Sequence, residues 1–251
     1  MARAAFPRLL APLTLRNGVT LKNRVIMGSM HTGLEEGDGW GRTLHKMAAF
    51  FDERAAGGVA LMVTGGIAPN APGRVAPFAA TMATSADARR HRVVTDAVHR
   101  HDGAKIAMQI LHAGRYAYQP SAVAPSAKKS PIGWFTPTPL SDAEIDGTVS
   151  DFARSAALAA EAGYDGVEVM GSEGYLINQF LVERTNARTD RWGGAFEARM
   201  ALPIEIVRAV RAATHDSFVI IFRLSMLDLV SDGSVNHTYS PANQLCQNGL
   251  I

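Results

Sequence analysis

The chain has little cysteine, little net charge and no long apolar run. Cys246 is its only cysteine, which excludes an intrachain disulfide framework and a clustered Cys site. The 25 basic and 23 acidic residues nearly cancel and are spread along the chain, so we expect neither nucleic-acid nor membrane partners. No apolar run approaches membrane-spanning length, and that in residues 1–13 is too short for a signal peptide. These absences predict a cytoplasmic protein.

The chain alternates short apolar segments with amphipathic ones, and 47% of its residues are hydrophobic, enough for a sizeable core. Each apolar segment has the length of a buried strand and ends in small or polar residues. The predicted strands are 25–30, 59–64, 105–111, 166–170 and 218–224. The predicted helices are 42–56, 86–101, 141–163 and 196–214. Repeated βα units of this kind indicate a parallel sheet.

Local signals mark the helix ends and one long connection. Ser141 and Glu144 have the spacing of a capping box at the start of the third helix, and Gly163 ends it. Pro203 is expected to kink the fourth helix, because proline lacks a backbone donor and its ring crowds the preceding turn. The Pro-rich segment 116–139 interrupts the alternation, which is typical of a lid or a binding loop.

Two parallel architectures fit repeated βα units, the open doubly wound sheet and the closed barrel. An open sheet of the nucleotide-binding type carries a phosphate loop after its first strand, and neither GxGxxG nor GxxxxGK occurs there. Functional-looking residues instead lie at several strand ends, where barrel enzymes build their sites. They are His31, Gly65, Gly66, Gln109, His112, Glu173, Tyr175 and Arg223. We therefore predict an α/β fold, a TIM (β/α)8 barrel that is incomplete, with about five of the eight βα units present.

The segment 166–194 carries the densest functional signal. Its apolar strand gives way within a few residues to Glu173 and Tyr175, beside Gly171 and Gly174. Glycine lets the backbone approach a ligand closely, and a tyrosine can donate a proton. The segment predicts a proton donor next to a flat ligand.

Six ordered motifs resemble a known family. They are LKNRVIMGSMHTGLEE (21–36), VTGGIAP (63–69), QILHAGRYAYQP (109–120), EVMGSEGYLINQFL (168–181), TNARTDRWGG (185–194) and FRLSMLDLV (222–230). From about Leu9 to about Val230 the chain resembles the FMN-binding barrel of the old yellow enzyme superfamily. It is most similar to the N-terminal barrel of bacterial NADPH-dependent 2,4-dienoyl-CoA reductases. The resemblance assigns residues 1–230 to the N-terminal part of that barrel and leaves 231–251 as a divergent, irregular tail.

The resemblance implies FMN at the mouth of the barrel. The matching cofactor-binding positions are Gly28, Ser29, Met30, Gly66, Gln109 and Arg223. The amide of Gln109, which both donates and accepts, suits the pyrimidine edge of the flavin. The fixed charge of Arg223 would favour the anionic reduced flavin. Without the resemblance, Gln109 fits a polar strand end equally well, and Arg223 fits half of a surface ion pair.

The resemblance also implies that Tyr175 is the catalytic proton donor. Reduced FMN passes hydride to one end of a conjugated system while an acid protonates the other. Many old yellow enzymes carry His at the position of Met170 and His or Asn at that of Glu173, so the pair seen here favours the dienoyl-CoA branch. Glu173 would relay protons or tune the acid, or it would pair with a neighbouring Arg. Arg184 and His31 are further candidates for binding the substrate, an unsaturated acyl-CoA or an enone.

A metal-dependent barrel hydrolase is the alternative chemistry at the same mouth. It would use His31 and His112 with Glu173 or Asp228 as ligands. No two of these residues have i, i+2 or HxxxH spacing, so we expect no metal ligands among them.

The last residues depart from the resembled family. After Val230 the relatives continue with further strands, whereas 231–251 is polar and has no obvious period. FAD, a 4Fe–4S cluster and NADPH are expected only in full-length relatives, which carry the segments that bind them. A five-stranded sheet cannot close, so self-association through its open edge is expected. Two functions stay open: an FMN-dependent reductase of a conjugated C=C bond in an unsaturated acyl-CoA, or a truncated, non-catalytic remnant with weak or no FMN binding.

Overall fold

The structure, a computed structural model, describes residues 5–37 and 43–228, so the predicted irregular tail 231–251 lies outside the described residues. The strands are β1 (Leu13–Thr14), β2 (Thr20–Leu21), β3 (Ile26–Met27), β4 (Leu61–Ile67), β5 (Lys105–Ile110), β6 (Val123–Ala124), β7 (Thr138–Pro139), β8 (Gly166–Gly171) and β9 (Val219–Leu224). The helices are α1 (His45–Ala56), α2 (Ser85–His99), α3 (Asp142–Glu161), α4 (Leu176–Leu181), α5 (Phe196–Arg199) and α6 (Ala201–Ala212). None of the helices in these ranges combines the length and the apolar character that a membrane crossing requires.

Five strands form one sheet in the order β3-β4-β5-β8-β9. Every neighbouring pair in this sheet is parallel. The order in space follows the order along the chain, apart from the short separate pairs β1-β2 and β6-β7. Helix α2 packs between α1 and α3, and α3 packs against α6. This arrangement confirms the expected incomplete (β/α)8 barrel.

The two faces of the sheet have different surroundings, because successive side chains of a strand point to opposite sides. On one face, Met62 and Ile106 pack with the helices into the main hydrophobic core. On the other face, Leu61 and Ala107 pack with Leu21 of the β1-β2 hairpin. The hairpin therefore fills the barrel interior near the strand starts and leaves the interior near the strand ends to other side chains.

The predicted helix 196–214 is two helices, α5 and α6, separated at Met200. Pro203 explains the break. It has no N–H to donate to the carbonyl oxygen of Arg199, whereas in the first turn of α6 that donor is not needed. The expected kink is therefore a one-residue break at Met200, whose backbone stays in the right-handed helical region.

The capping box at the start of α3 is confirmed. The backbone N–H of Ser141 donates to Glu144 Oε2 over 2.8 Å, and the N–H of Glu144 donates to Ser141 Oγ over 3.4 Å. Thr84 and Asp87 cap α2 in the same way. Both helices thus begin where a side chain replaces the missing backbone partners.

Two strands differ from their predicted bounds by more than one residue, and the other three differ by one residue. Strand β3 covers only Ile26–Met27 of the predicted 25–30, so residues 28–30 lie outside the sheet. Strand β4 continues beyond residue 64 to Ile67, and its register against β5 shifts between Val63 and Gly66. A Cβ on Gly65 would lie 2.9 Å from the carbonyl oxygen of Met30, so glycine there lets the first loop lie against the strand. Gly66 is accordingly part of β4 rather than the residue after it.

Candidate functional site

A cleft of about 360 Å³ opens at the carboxyl ends of the parallel strands. Alternation along the strands points Gln109 of β5, Met170 of β8 and Arg223 of β9 into it. The inward side chains nearer the strand starts are the small and aliphatic ones that pack on the hairpin. The interior is thus apolar near the strand starts and polar at the mouth.

Most of the predicted site residues line this cleft. They are Ser29, Met30, His31, Gly66, Gln109, Glu173, Tyr175 and Arg223. The predicted residues Gly28 and Arg184 do not line it. The carbonyl oxygen of Arg184 accepts a hydrogen bond from Lys128 Nζ over 2.7 Å, so the backbone there anchors the Pro-rich segment.

The remaining lining is apolar or aromatic and, apart from Met170, was not singled out from the sequence. It consists of Val75, Leu111, Tyr116, Tyr118, Ile132 and Met170. Tyr116, Tyr118 and Ile132 belong to the Pro-rich segment, whose broken rhythm predicts a binding loop. Trp134 extends this rim: it is 74% exposed, and its ring centroid lies 5.8 Å from that of Tyr118.

The amide of Gln109 is held in the cleft by a buried carboxylate. Gln109 Nε2 donates to Glu168 Oε1 over 2.7 Å, and the two residues are only 3% and 7% exposed. Burial raises the pKa of Glu168, and the hydrogen bond from Gln109 and the charge of Arg223 offset this rise only in part. Because Nε2 donates to Glu168, the amide oxygen of Gln109 faces away from this carboxylate.

Gly66 makes room for this amide. A Cβ at position 66 would lie 2.6 Å from Leu111 Cδ1 and 3.1 Å from Gln109 Oε1. Carbon atoms at optimal separation are about 3.5–4.0 Å apart, so any side chain here would displace its neighbours. The packing of β4 and β5 therefore requires glycine at this position.

Glu173 and Arg223 form an ion pair at the mouth. Arg223 Nη2 donates to Glu173 Oε1 over 2.5 Å, and the two side chains are 36% and 50% exposed. Glu173 adopts a φ of +62°, which is unusual for a residue with a side chain. Its backbone N–H donates to Ser225 Oγ over 3.0 Å, a bond that ties the strained turn to the end of β9. For both residues this is the ion-pair alternative that the sequence leaves open.

Tyr175 lies at the start of α4, beside this ion pair. Its ring packs edge-on against Tyr116, with 5.8 Å between the centroids and 79° between the planes, and it contacts the apolar cluster that contains Leu111 and Met170. Burial raises the pKa of the Tyr175 phenol, and the negative charge of Glu173 adds to the effect. The phenol therefore keeps its proton at neutral pH.

His112 has a structural role next to the cleft. It is buried, and burial lowers its pKa to about 3, so the imidazole is neutral. Its Nδ1 accepts a hydrogen bond from the backbone N–H of Gly114 over 3.1 Å. That bond stabilises the Gly114–Tyr116 turn, which carries Tyr116 into the cleft.

The ligand set of the alternative metal hydrolase does not converge. Among the described residues, the group of possible metal ligands that contains His31 does not include His112, Glu173 or Asp228. The alternative hydrolase therefore has no support in the geometry.

The chain matches a protein family along most of its length. A model of the NADH:flavin oxidoreductase / NADH oxidase family matches residues 8–244. A metal reductase of Desulforamulus reducens is 40% identical over 236 residues, which cover 90% of this chain and 33% of the relative. An NADPH dehydrogenase of a Geobacillus species is 34% identical over 245 residues, which cover 96% of this chain and 70% of the relative. The chain thus spans about a third of the length of the metal reductase.

Solved structures show the same architecture. A 2-naphthoyl-CoA reductase, in complex with 2-naphthoyl-CoA, superposes with a TM-score of 0.84 at 27% identity, over 92% of this chain and 37% of the other. Morphinone reductase superposes with a TM-score of 0.78 at 29% identity, over 86% of this chain and 61% of the other. Both similarities extend over more than four fifths of this chain.

Proposed function

The chain belongs to the NADH:flavin oxidoreductase / NADH oxidase family, and from that premise we propose that it forms the FMN-binding part of a reductase for a conjugated C=C bond in unsaturated acyl-CoA esters. The observation that carries the proposal is the convergence of Gln109, Tyr175 and Arg223 on one cleft at the strand ends. These residues come from successive βα units, and they supply an amide, a phenol and a guanidinium.

The groups in the cleft fit an isoalloxazine ring. The amide of Gln109, oriented by Glu168, offers an oxygen acceptor and a second N–H, which match the alternating groups of a pyrimidine edge. Arg223 offers a fixed positive charge for the side of the ring that gains negative charge. Leu111 and Met170 give the flat ring apolar contact. Bound FMN would supply the hydride.

Tyr175 is the proposed proton donor. Its raised pKa keeps the proton on Oη at neutral pH, which a general acid requires. The edge-on contact with Tyr116 fixes the ring in the cleft. Glu173 is a positioning neighbour, because its charge acts on the phenol while its carboxylate is held by Arg223.

Three features support a thioester substrate. The chain is similar to a 2-naphthoyl-CoA reductase solved in complex with 2-naphthoyl-CoA, which is a CoA thioester. Met170 presents a thioether at the mouth. A thioether donates no hydrogen bond, so it binds the carbonyl oxygen of an enone far more weakly than a His or Asn side chain does. The rim formed by Val75, Tyr118 and Ile132 suits an apolar acyl chain.

Reconstitution followed by a single turnover tests the proposal. The purified chain is titrated with FMN, reduced anaerobically with dithionite and mixed with a 2,4-dienoyl-CoA, whose absorbance reports loss of the conjugated bond. We expect Y175F to slow this step by about 10²- to 10⁴-fold, the usual contribution of a positioned acid, with FMN affinity unchanged. Y116F, which removes the hydroxyl of the neighbouring ring, is the matched control and should cost far less. Equal losses in the two variants would refute the assignment to Tyr175, and FMN binding without dienoyl-CoA reduction would refute the acyl-CoA substrate.

A non-catalytic protein that self-associates and does not hold FMN is a second candidate, and one feature of the described sheet favours it. Within the described residues, β9 (Val219–Leu224) pairs with β8 only. An uncovered edge strand is a template for pairing with another chain. This candidate predicts a mass that rises with concentration in sedimentation, and no flavin retained after incubation with excess FMN. A monomer that retains FMN would exclude it.

A further inference from the structure

The loop after β3 brings three metal-binding side chains together at the edge of the cleft. His31 Nδ1 lies 3.6 Å from Glu35 Oε2, and His31 Nε2 lies 3.6 Å from Glu36 Oε1. One ligand atom from each of the three lies within 4.8 Å of the other two. We propose that His31, Glu35 and Glu36 bind a divalent first-row transition metal ion, such as Zn²⁺ or Mn²⁺. This site is independent of the proposed function, since none of its ligands is needed to hold FMN.

The buried carboxylate of Glu35 is the observation that points to a ligand. The side chain is 0% exposed, and Oε1 accepts a hydrogen bond from Thr32 Oγ1 over 2.8 Å. Within the described part of the chain, Oε2 has no hydrogen-bond partner. Its 3.6 Å separation from His31 is too long for a hydrogen bond. A buried carboxylate oxygen without a partner is unfavourable, and a cation between Glu35 and His31 would provide that partner.

The donor set suits this class of ion. An imidazole nitrogen and two carboxylate oxygens are ligands that zinc and neighbouring divalent metals accept. Metal–ligand bonds of about 2.0–2.2 Å place neighbouring ligand atoms of one ion roughly 3–3.5 Å apart. The two 3.6 Å separations involve different ring nitrogens of His31, and a single ion binds only one of them. With one ligand atom from each residue the separations reach up to 4.8 Å, so the ligand atoms must close in by about 1–2 Å, which the exposed side chains of His31 and Glu36 allow. A divalent cation would also balance the two carboxylates.

Solvent can reach the site. The side chains of His31 and Glu36 are 51% and 35% exposed, and both line a second hollow of about 440 Å³ formed with residues 75–79. His31 also lines the main cleft, next to Ser29 and Met30. An ion here would therefore fix the loop that supplies one wall of that cleft.

Counting metal equivalents tests the proposal. The full chain is freed of metal with EDTA, and its uptake of Zn²⁺, and separately of Mn²⁺, is measured in competition with a chromophoric chelator. We expect the wild type to hold one equivalent more than H31A and E35Q. H99A is the matched control, because His99 is also part of an exposed histidine–carboxylate pair, 2.8 Å from Asp165, but lies outside the cluster. H99A should keep the wild-type count.

Equal counts in the wild type and H31A would overturn the proposal, as would no uptake by the wild type. His31 is half exposed, so H31A alone decides the question if E35Q fails to fold. Unfolding temperature gives a second readout, because an ion that binds only the folded state raises it. The rise with Zn²⁺ should appear in the wild type and H99A and be lost in H31A. FMN titration of the same samples shows separately whether the proposed function holds.

Discussion

Replacing Glu168 with alanine removes the carboxylate that orients the amide of Gln109. In the wild type that amide is fixed by a 2.7 Å hydrogen bond between two residues that are almost fully buried. In E168A the amide of Gln109 rotates more freely and must be immobilised when FMN binds. Immobilising one such side chain costs about 0.5–1.5 kcal/mol, which raises the Kd for FMN by about 2- to 12-fold.

The matched variant is E168Q, whose amide oxygen accepts the same hydrogen bond without the charge. We expect its Kd to stay within about twofold of the wild type, because the geometry of the bond is kept. Fluorescence quenching of FMN on titration measures all three affinities, and circular dichroism verifies folding. If E168A binds FMN with the wild-type Kd, the hydrogen bond from Gln109 to Glu168 does not contribute to FMN binding. If E168Q binds FMN as weakly as E168A, the charge of Glu168 matters rather than the hydrogen bond.

The wild type and E168Q differ in how their stability responds to pH. Burial raises the pKa of Glu168, so the folded chain holds this proton more tightly than the unfolded chain, whose pKa is near 4.5. The wild type therefore loses stability as pH rises from about 4.5 through the raised pKa, because the folded state must then ionise a buried group. E168Q lacks this loss, and urea unfolding at a series of pH values measures the difference. Parallel pH profiles for the two proteins would contradict the assigned cause.

Two further predictions concern stability. G66A should lower the free energy of unfolding in urea by about 1–3 kcal/mol, because its Cβ would collide with Leu111. G147A is the control: its Cβ, inside α3, would meet nothing within 4 Å, so it should raise the free energy of unfolding by about 0.5–1 kcal/mol. Similar losses in both variants would refute the packing argument. The hydrogen bond to Asp165 raises the pKa of His99 above its ordinary 6.5, so its stabilisation is fully present below about pH 6.5 and is lost as pH rises through the raised pKa. The stability difference between wild type and H99Q should accordingly shrink above pH 6.5, and a constant difference would contradict the linkage.

Much of the architecture could be predicted because each core strand is a short apolar run with its own helix behind it. Gln109 and Arg223 could be placed at the mouth because both follow apolar positions near strand ends, where barrel chemistry lies. The sequence predicts that strand β4 ends at residue 64, before Gly66, whereas Gly66 lies within β4. The shift in register between β4 and β5 depends on the neighbouring strand and leaves no local sequence signal.

Other parts of the site could not be predicted at the level of residues. Glu168 sits inside an apolar strand, and only the barrel shows that its face is the interior beside Gln109. Tyr118 and Ile132 lie in a segment without periodicity, so their place on the rim depends on how that segment crosses the mouth. The approach of Glu35 to His31 similarly depends on a loop conformation that strand and helix patterns do not encode.

The position of Trp134 gives the mouth of the cleft an optical signature. Its indole is largely in water beside Tyr118, whereas Trp192 is fully buried in the main core. Trp40, the third tryptophan, lies outside the described residues, and the substitution W40F leaves only these two indoles. In that variant a water-soluble quencher such as acrylamide would quench the emission of Trp134 first and leave the blue-shifted emission of Trp192. Any molecule that settles on the rim shields the first indole without touching the second, so the protein carries both a reporter of occupancy and its internal reference.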